Sequence, residues 1–159
     1  MRGCANARVI SRVEASAASG REFQDNTCSA PNSSDLNTSE CSLDGAGDHT
    51  YKIWVRRNES IIATMGVRRL NCTGEQDEMR AVFKVFRPTA ACGDTCGGTP
   101  ALCSSPPAIS TRTFAEAARQ DGWYYFVVDG DKFGVFPGKG YYTLNVRLSN
   151  CAGGTCTCQ

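Results

Sequence analysis

The chain has 159 residues and 17 basic against 16 acidic side chains, a formal net charge of +1. That length supports one domain burying about 70% of its unfolded surface. The charge balance gives no electrostatic reason to expect nucleic acid as a partner. No run approaches the roughly 20 apolar residues of a membrane-spanning helix, and Met1 to Gly20 has no continuous apolar core of an export signal.

Ten cysteines, Cys4, Cys28, Cys41, Cys72, Cys92, Cys96, Cys103, Cys151, Cys156 and Cys158, are the strongest compositional feature. An even, dense set of this kind points to disulfides in an oxidising compartment. A structural zinc site would want paired Cys-x-x-Cys knuckles. None is present, and His49 is the sole histidine. The expectation is a secreted or cell-surface protein in a processed form.

In chain order, residues 1–18 read as an N-terminal arm or edge strand, since Val9, Ser11, Val13 and Ala15 alternate with charged neighbours. Val9, Val13 and Ala17 also fall at helical spacing. Residues 25–48 are dense in Ser, Asn, Asp and Gly and form a long surface loop bracketed by Cys28 and Cys41, which are expected to bridge it. Asn32, Asn37, Asn58 and Asn71 each begin an Asn-x-Ser/Thr sequon. Tyr51, Ile53 and Val55 alternate with Lys52, Trp54 and Arg56, and Asn58-Glu59-Ser60 then turns into a second strand, the pattern of a hairpin. Met79 to Phe86 is apolar on both faces. Residues 92–108 form an irregular cross-linked loop, with Cys103 expected to pair with Cys92 or Cys96. Thr111 to Arg119 alternates and is read as a strand ending in a turn, despite good helix formers.

The two clearest strands follow. Trp123 to Val128 is apolar on both faces, as the middle of a covered sheet requires. Tyr142, Leu144, Val146 and Leu148 alternate with Tyr141, Thr143, Asn145 and Arg147, giving one buried and one wet face. The fold class is therefore all-β, a jelly-roll-like antiparallel β-sandwich with long disulfide-cross-linked loops. Residues 150–159 are a Cys-rich tail.

Several landmarks over residues 19–149 are those of a known family. They are Ser19-Gly20, Asp25-Asn26-Thr27, Asp48-His49-Thr50-Tyr51, Cys92, Cys103, the block Asp121-Gly122-Trp123-Tyr124-Tyr125-Phe126-Val127-Val128-Asp129-Gly130, and Gly140-Tyr141-Tyr142-Thr143-Leu144-Asn145-Val146. In this order they resemble the bacterial pre-peptidase C-terminal domains, in the Cys-bearing form found in secreted and surface proteins. The resemblance implies a jelly-roll-like sandwich and a non-catalytic accessory role in attachment, with calcium bound by some members. This chain departs from the pattern at Cys103-Ser104-Ser105-Pro106-Pro107, where many relatives carry acidic residues.

Three sets of residues are candidates for chemistry. His49 with Asp48 is the one pairing that a hydrolase would find, but a polar pair just ahead of a strand is far more often a turn. Asp129 and Asp131, with Asp44 and Asp48, offer carboxylates to calcium, although an EF-hand loop is absent and Asp-Gly also favours chain reversal. Trp54, flanked by Lys52 and Arg56, and Tyr141 lie on the faces opposite their strands' apolar sets. They are the expected binding surface for an extracellular protein or glycan. The function expected is a non-catalytic binding or adhesion module. The alternative is a homo-polymer, the structural subunit of an extracellular filament whose arm adds a strand to its neighbour.

Overall fold

In a computed structural model, residues 6–30, 48–74, 81–94, 99–104, 111–130 and 139–150 are described. The strands are β1 (Arg8–Val9), β2 (Arg21–Asn26), β3 (His49–Val55), β4 (Ser60–Asn71), β5 (Ala81–Phe86), β6 (Leu102–Ser104), β7 (Arg112–Ala117), β8 (Gly122–Gly130) and β9 (Gly140–Ser149). A single helical turn, α1 (Arg12–Ala15), follows β1. The strands form two sheets, ordered β1-β3-β8-β5-β6 and β2-β9-β4-β7, packed as a sandwich. All pairs are antiparallel except β1 with β3.

The core follows from alternation. β9 buries Tyr142, Leu144, Val146 and Leu148 while the intervening residues stay wetter. They meet Tyr51, Ile53 and Val55 of β3 and Tyr124, Phe126 and Val128 of β8 in one cluster. Burying each large aliphatic or aromatic side chain contributes about 1.5–3 kcal/mol. Central strands β5 and β8 are buried on both faces, as their composition required. The far face of the first sheet carries a smaller cluster of Phe86, Tyr125 and Val127, covered by Ala7 and Trp123. Residues 112–117 form a strand, as their alternation predicts.

Four expectations are corrected. First, β3 and β4 are not a hairpin: the turn at Arg56–Glu59, with Asn58 at φ 70, carries the chain from one sheet to the other. Cross-strand partners are chosen by the two-layer packing, which local alternation does not encode. Second, residues 8–15 divide between the two readings: Arg8–Val9 form an edge strand, but one of only two residues, and Arg12–Ala15 form a helical turn. Ser11 caps that turn by accepting a hydrogen bond from the Glu14 amide at 3.5 Å.

Third, Cys28 bonds Cys72, not Cys41. β2 and β4 flank β9, with Asn26 opposite Tyr141 and Asn71 opposite Gly140. The residues just past the two strand ends are thereby neighbours, with Cα atoms 5.4 Å apart. Fourth, one of the two partners expected for Cys103 is excluded: Cys92 carries a free, exposed thiol in a turn at φ 59, while Cys103 is disulfide-bonded and Cys96 lies outside the described residues. The amide of Cys92 is tied to the Asp121 carbonyl at 2.9 Å, which fixes the turn at the surface. The remaining cysteines, 4, 41, 96, 151, 156 and 158, lie outside the described residues.

Candidate functional site

The candidate site lies on the outer face of the first sheet, where β3 and β8 run side by side with Trp54 opposite Trp123. Both side chains point away from the core because Ile53, Val55 and Tyr124 take the inward positions. The two indoles meet edge to face, with ring centroids 5.6 Å apart and planes at 76°. Against them the chain lays Val9, Ile10, Ser11 and Arg12, leaving a groove of about 440 Å³ that Arg56 also lines. Ile10 is buried, whereas Val9 stays 64% exposed at the rim.

A buried ion pair holds this wall in place. Arg12 donates Nη2 to Glu59 Oε1 at 2.6 Å and Nη1 to Glu59 Oε2 at 2.8 Å. Nη1 also reaches the Trp54 carbonyl at 2.6 Å, coupling the helical turn to the tryptophan strand. Burial by itself would raise the Glu59 carboxyl. Hydrogen bonds from Arg12 and from the Arg56 amide outweigh it and hold the group below its ordinary range.

Lys52 sits beside the groove. Its ammonium lies 4.5 Å from the Trp123 ring centroid and 3.2 Å from Asp94 Oδ2, so its charge is shared by a ring face and a carboxylate. Tyr125 donates its hydroxyl to the same Asp94. That bond is the main influence holding Asp94 below its ordinary value, while burial and then Asp94 push Tyr125 up.

The expected binding set is therefore brought together in part. Trp54, Arg56 and Lys52 gather at one end of β3. Trp54 is half-buried against Trp123 instead of standing exposed between two cations. Tyr141 does not join them: it lies on β9 opposite Asn26, on the outer face of the other sheet. Sequence reading missed Trp123 and the Val9–Arg12 segment. Trp123 sits in a strand apolar on both faces, where alternation has no contrast to mark the outward side.

His49 is turned toward the sandwich interior. Its Nδ1 is 2.7 Å from the Tyr142 hydroxyl and 3.6 Å from Asp25 Oδ2. Tyr142 in turn lies 2.6 Å from the Tyr51 hydroxyl, and Arg8 bonds Asp25. The carboxylate nearest the imidazole is thus Asp25 and not the expected Asp48. Burial disfavours the imidazolium more than Asp25 favours it, so the histidine is held below its ordinary value. This chain of polar groups ties β3 to β2 and β9 across the two layers.

Of the expected calcium ligands, Asp44 and Asp131 lie outside the described residues. Asp129 and Asp48 are both buried, on the covered outer face of the first sheet. Asp129 Oδ2 accepts from Lys84 Nζ at 2.9 Å. Burial, the largest influence, pushes the Asp129 carboxyl up to about 6, with Lys84 opposing and Asp48 adding to the rise. Among the described residues no three His, Cys, Asp or Glu side chains gather as a metal site would need.

No family model matches the sequence, and no curated protein matches it. Several solved structures are similar, among them the following three. The pre-peptidase C-terminal domain of collagenase from Bacillus anthracis is 15% identical, with a TM-score of 0.47 over 89% of this chain and 95% of that one. PliG of Aeromonas hydrophila, a periplasmic inhibitor of g-type lysozyme, is 12% identical, with a TM-score of 0.50 over 90% of this chain and 96% of that one. CorA, a surface-associated copper-binding protein of Methylomicrobium album BG8, is 8% identical, with a TM-score of 0.53 over 91% of this chain and 98% of that one. At such identities the likeness is one of architecture. The chain is an all-β, two-sheet sandwich, as its strand pattern predicted.

Proposed function

We propose that this protein is a non-catalytic, extracytoplasmic binding module that engages an extracellular protein or glycan through the Trp54–Trp123 groove. The observation that carries the reading is the groove itself: two outward tryptophans, an aliphatic wall and Arg56 in one concavity of about 440 Å³. Aromatic rings supply large contact area at small entropic cost, and a nearby guanidinium adds directional hydrogen bonding. The Cys28–Cys72 disulfide fits an oxidising compartment. An inhibitor and a metal-binding protein built on the same architecture are compatible with a binding role. His49, engaged with Tyr142 and turned inward, is a linker between sheets and not a base for a substrate.

Glycan and extracellular-protein arrays probed with the whole chain test the reading. A hit should weaken at least tenfold in Trp54→Ala while the melting temperature holds. A folded Trp54→Ala protein that binds its hit as well as the original excludes the groove. The filament alternative has less support, because Arg8 and Val9 already pair with Tyr51 and Lys52 of the same chain.

A further inference from the structure

We propose that Lys84 and Asp129 condense into an intramolecular amide that joins β5 to β8 across the covered face of the first sheet. Lys84 is 1% exposed and Asp129 2% exposed, in strands where charged side chains are otherwise kept out. Val82 lies opposite Asp129 and Lys84 opposite Val127, so the two side chains are diagonal neighbours on one face. Lys84 Nζ is 2.9 Å from Asp129 Oδ2, which places the nitrogen within attacking range of the carboxyl carbon. Phe86, Tyr125 and Val127 form the apolar layer on that face.

As an ion pair this arrangement is poorly satisfied. Asp129 Oδ1 is buried without a well-formed hydrogen bond, and besides Lys84 the Gly130 amide is the group that favours the charged carboxylate. Desolvating two charges is costly unless every lone pair is met, and a buried acceptor left short of partners adds to that cost. The reaction begins as one proton moves from the ammonium to the carboxylate, giving the neutral amine and carboxylic acid that the step needs. The amine then attacks the carboxyl carbon. The carbon–nitrogen bond forms, the bond to one carboxyl oxygen breaks, and that oxygen leaves as water with the protons shed by nitrogen. Amine and acid give amide and water, with no oxidant or further reactant.

Asp48 is the candidate for the proton relay. It is 3% exposed and immediately precedes the β3 residue that pairs with Val128, so it flanks Asp129 across the β3–β8 ladder. Its function would be to take a proton from the attacking nitrogen and hand it to the departing oxygen.

Intact mass of the full chain, made under oxidising conditions and then reduced and denatured, is the test. The expected mass is lower than the sequence mass by one water. Peptide mapping should show the Lys84 and Asp129 peptides joined, with no tryptic cleavage after Lys84, and Lys84→Arg should restore the full mass. Asp48→Asn should leave a folded protein whose condensation is slowed or lost, and a variant that condenses as fast as the original removes Asp48 from the relay. A reduced chain at full sequence mass overturns the proposal. So does a water loss that mild alkali reverses and that maps to Asp129-Gly130 alone, because that is a succinimide.

Discussion

Replacing Arg12 by Met tests the reasoning about the groove at its most constrained point. Arg12 and Glu59 side chains are 5% and 3% exposed, and two hydrogen bonds of 2.6 and 2.8 Å join them. Losing one partner strands the other charge in a dry site, at a cost of about 3–5 kcal/mol. That is a large share of the roughly 5–15 kcal/mol that holds a domain folded. Urea denaturation monitored by fluorescence reads it as a lowered midpoint at unchanged slope. The double variant Arg12→Met with Glu59→Leu should recover most of the loss, since a matched apolar pair leaves no buried charge.

The pH dependence gives a second handle on the same pair. Glu59 is held below its ordinary value of 4.5, so its contribution is full above that value and is lost as pH falls through the native one. The gap between the original protein and Arg12→Met should therefore narrow with acidification. A loss of less than about 1 kcal/mol at neutral pH, the value of an exposed pair, refutes the anchoring role.

Three further outcomes are expected. Removing the Cys28–Cys72 bridge as a double Ala variant should cost about 4 kcal/mol in urea denaturation, from the loop closed by its separation of 44 residues. Gly122→Ala should cost about 1–3 kcal/mol by thermal melting, because its Cβ would sit 2.4 Å from the Pro88 ring, and it should disturb Trp123 next to it. His49, held below its ordinary 6.5, binds its proton less readily folded than unfolded, so stability should decline as pH falls below that value. Urea midpoints of the original protein and His49→Gln, compared between about pH 7 and about pH 5, should show that decline flattened in the variant.

The strands were legible wherever one face is wet. β9 alternates because its outer face meets water, and β7 alternates strongly enough to override its helix formers. β5 and β8 were legible as central strands because only a doubly covered strand tolerates such composition. What stayed hidden is set by which strands pair. The Cys28–Cys72 bridge exists because β2 and β4 flank β9, a fact of the sheet and not of the residues between the cysteines. The groove was half legible for the same reason. Trp54 stood out against Ile53 and Val55, but Trp123 became its partner only once β3 and β8 were in register. Lys84 within an apolar strand was the overlooked anomaly, and its partner Asp129 was read as a turn or a calcium ligand.

The chain has two tryptophans, and both line the groove, so emission excited selectively at tryptophan reports on the proposed surface. Titrating the whole protein with an array-identified ligand should shift or quench that emission saturably, at the same midpoint as an independent binding measurement. Saturable binding with the emission unchanged would place the ligand elsewhere and contradict the account.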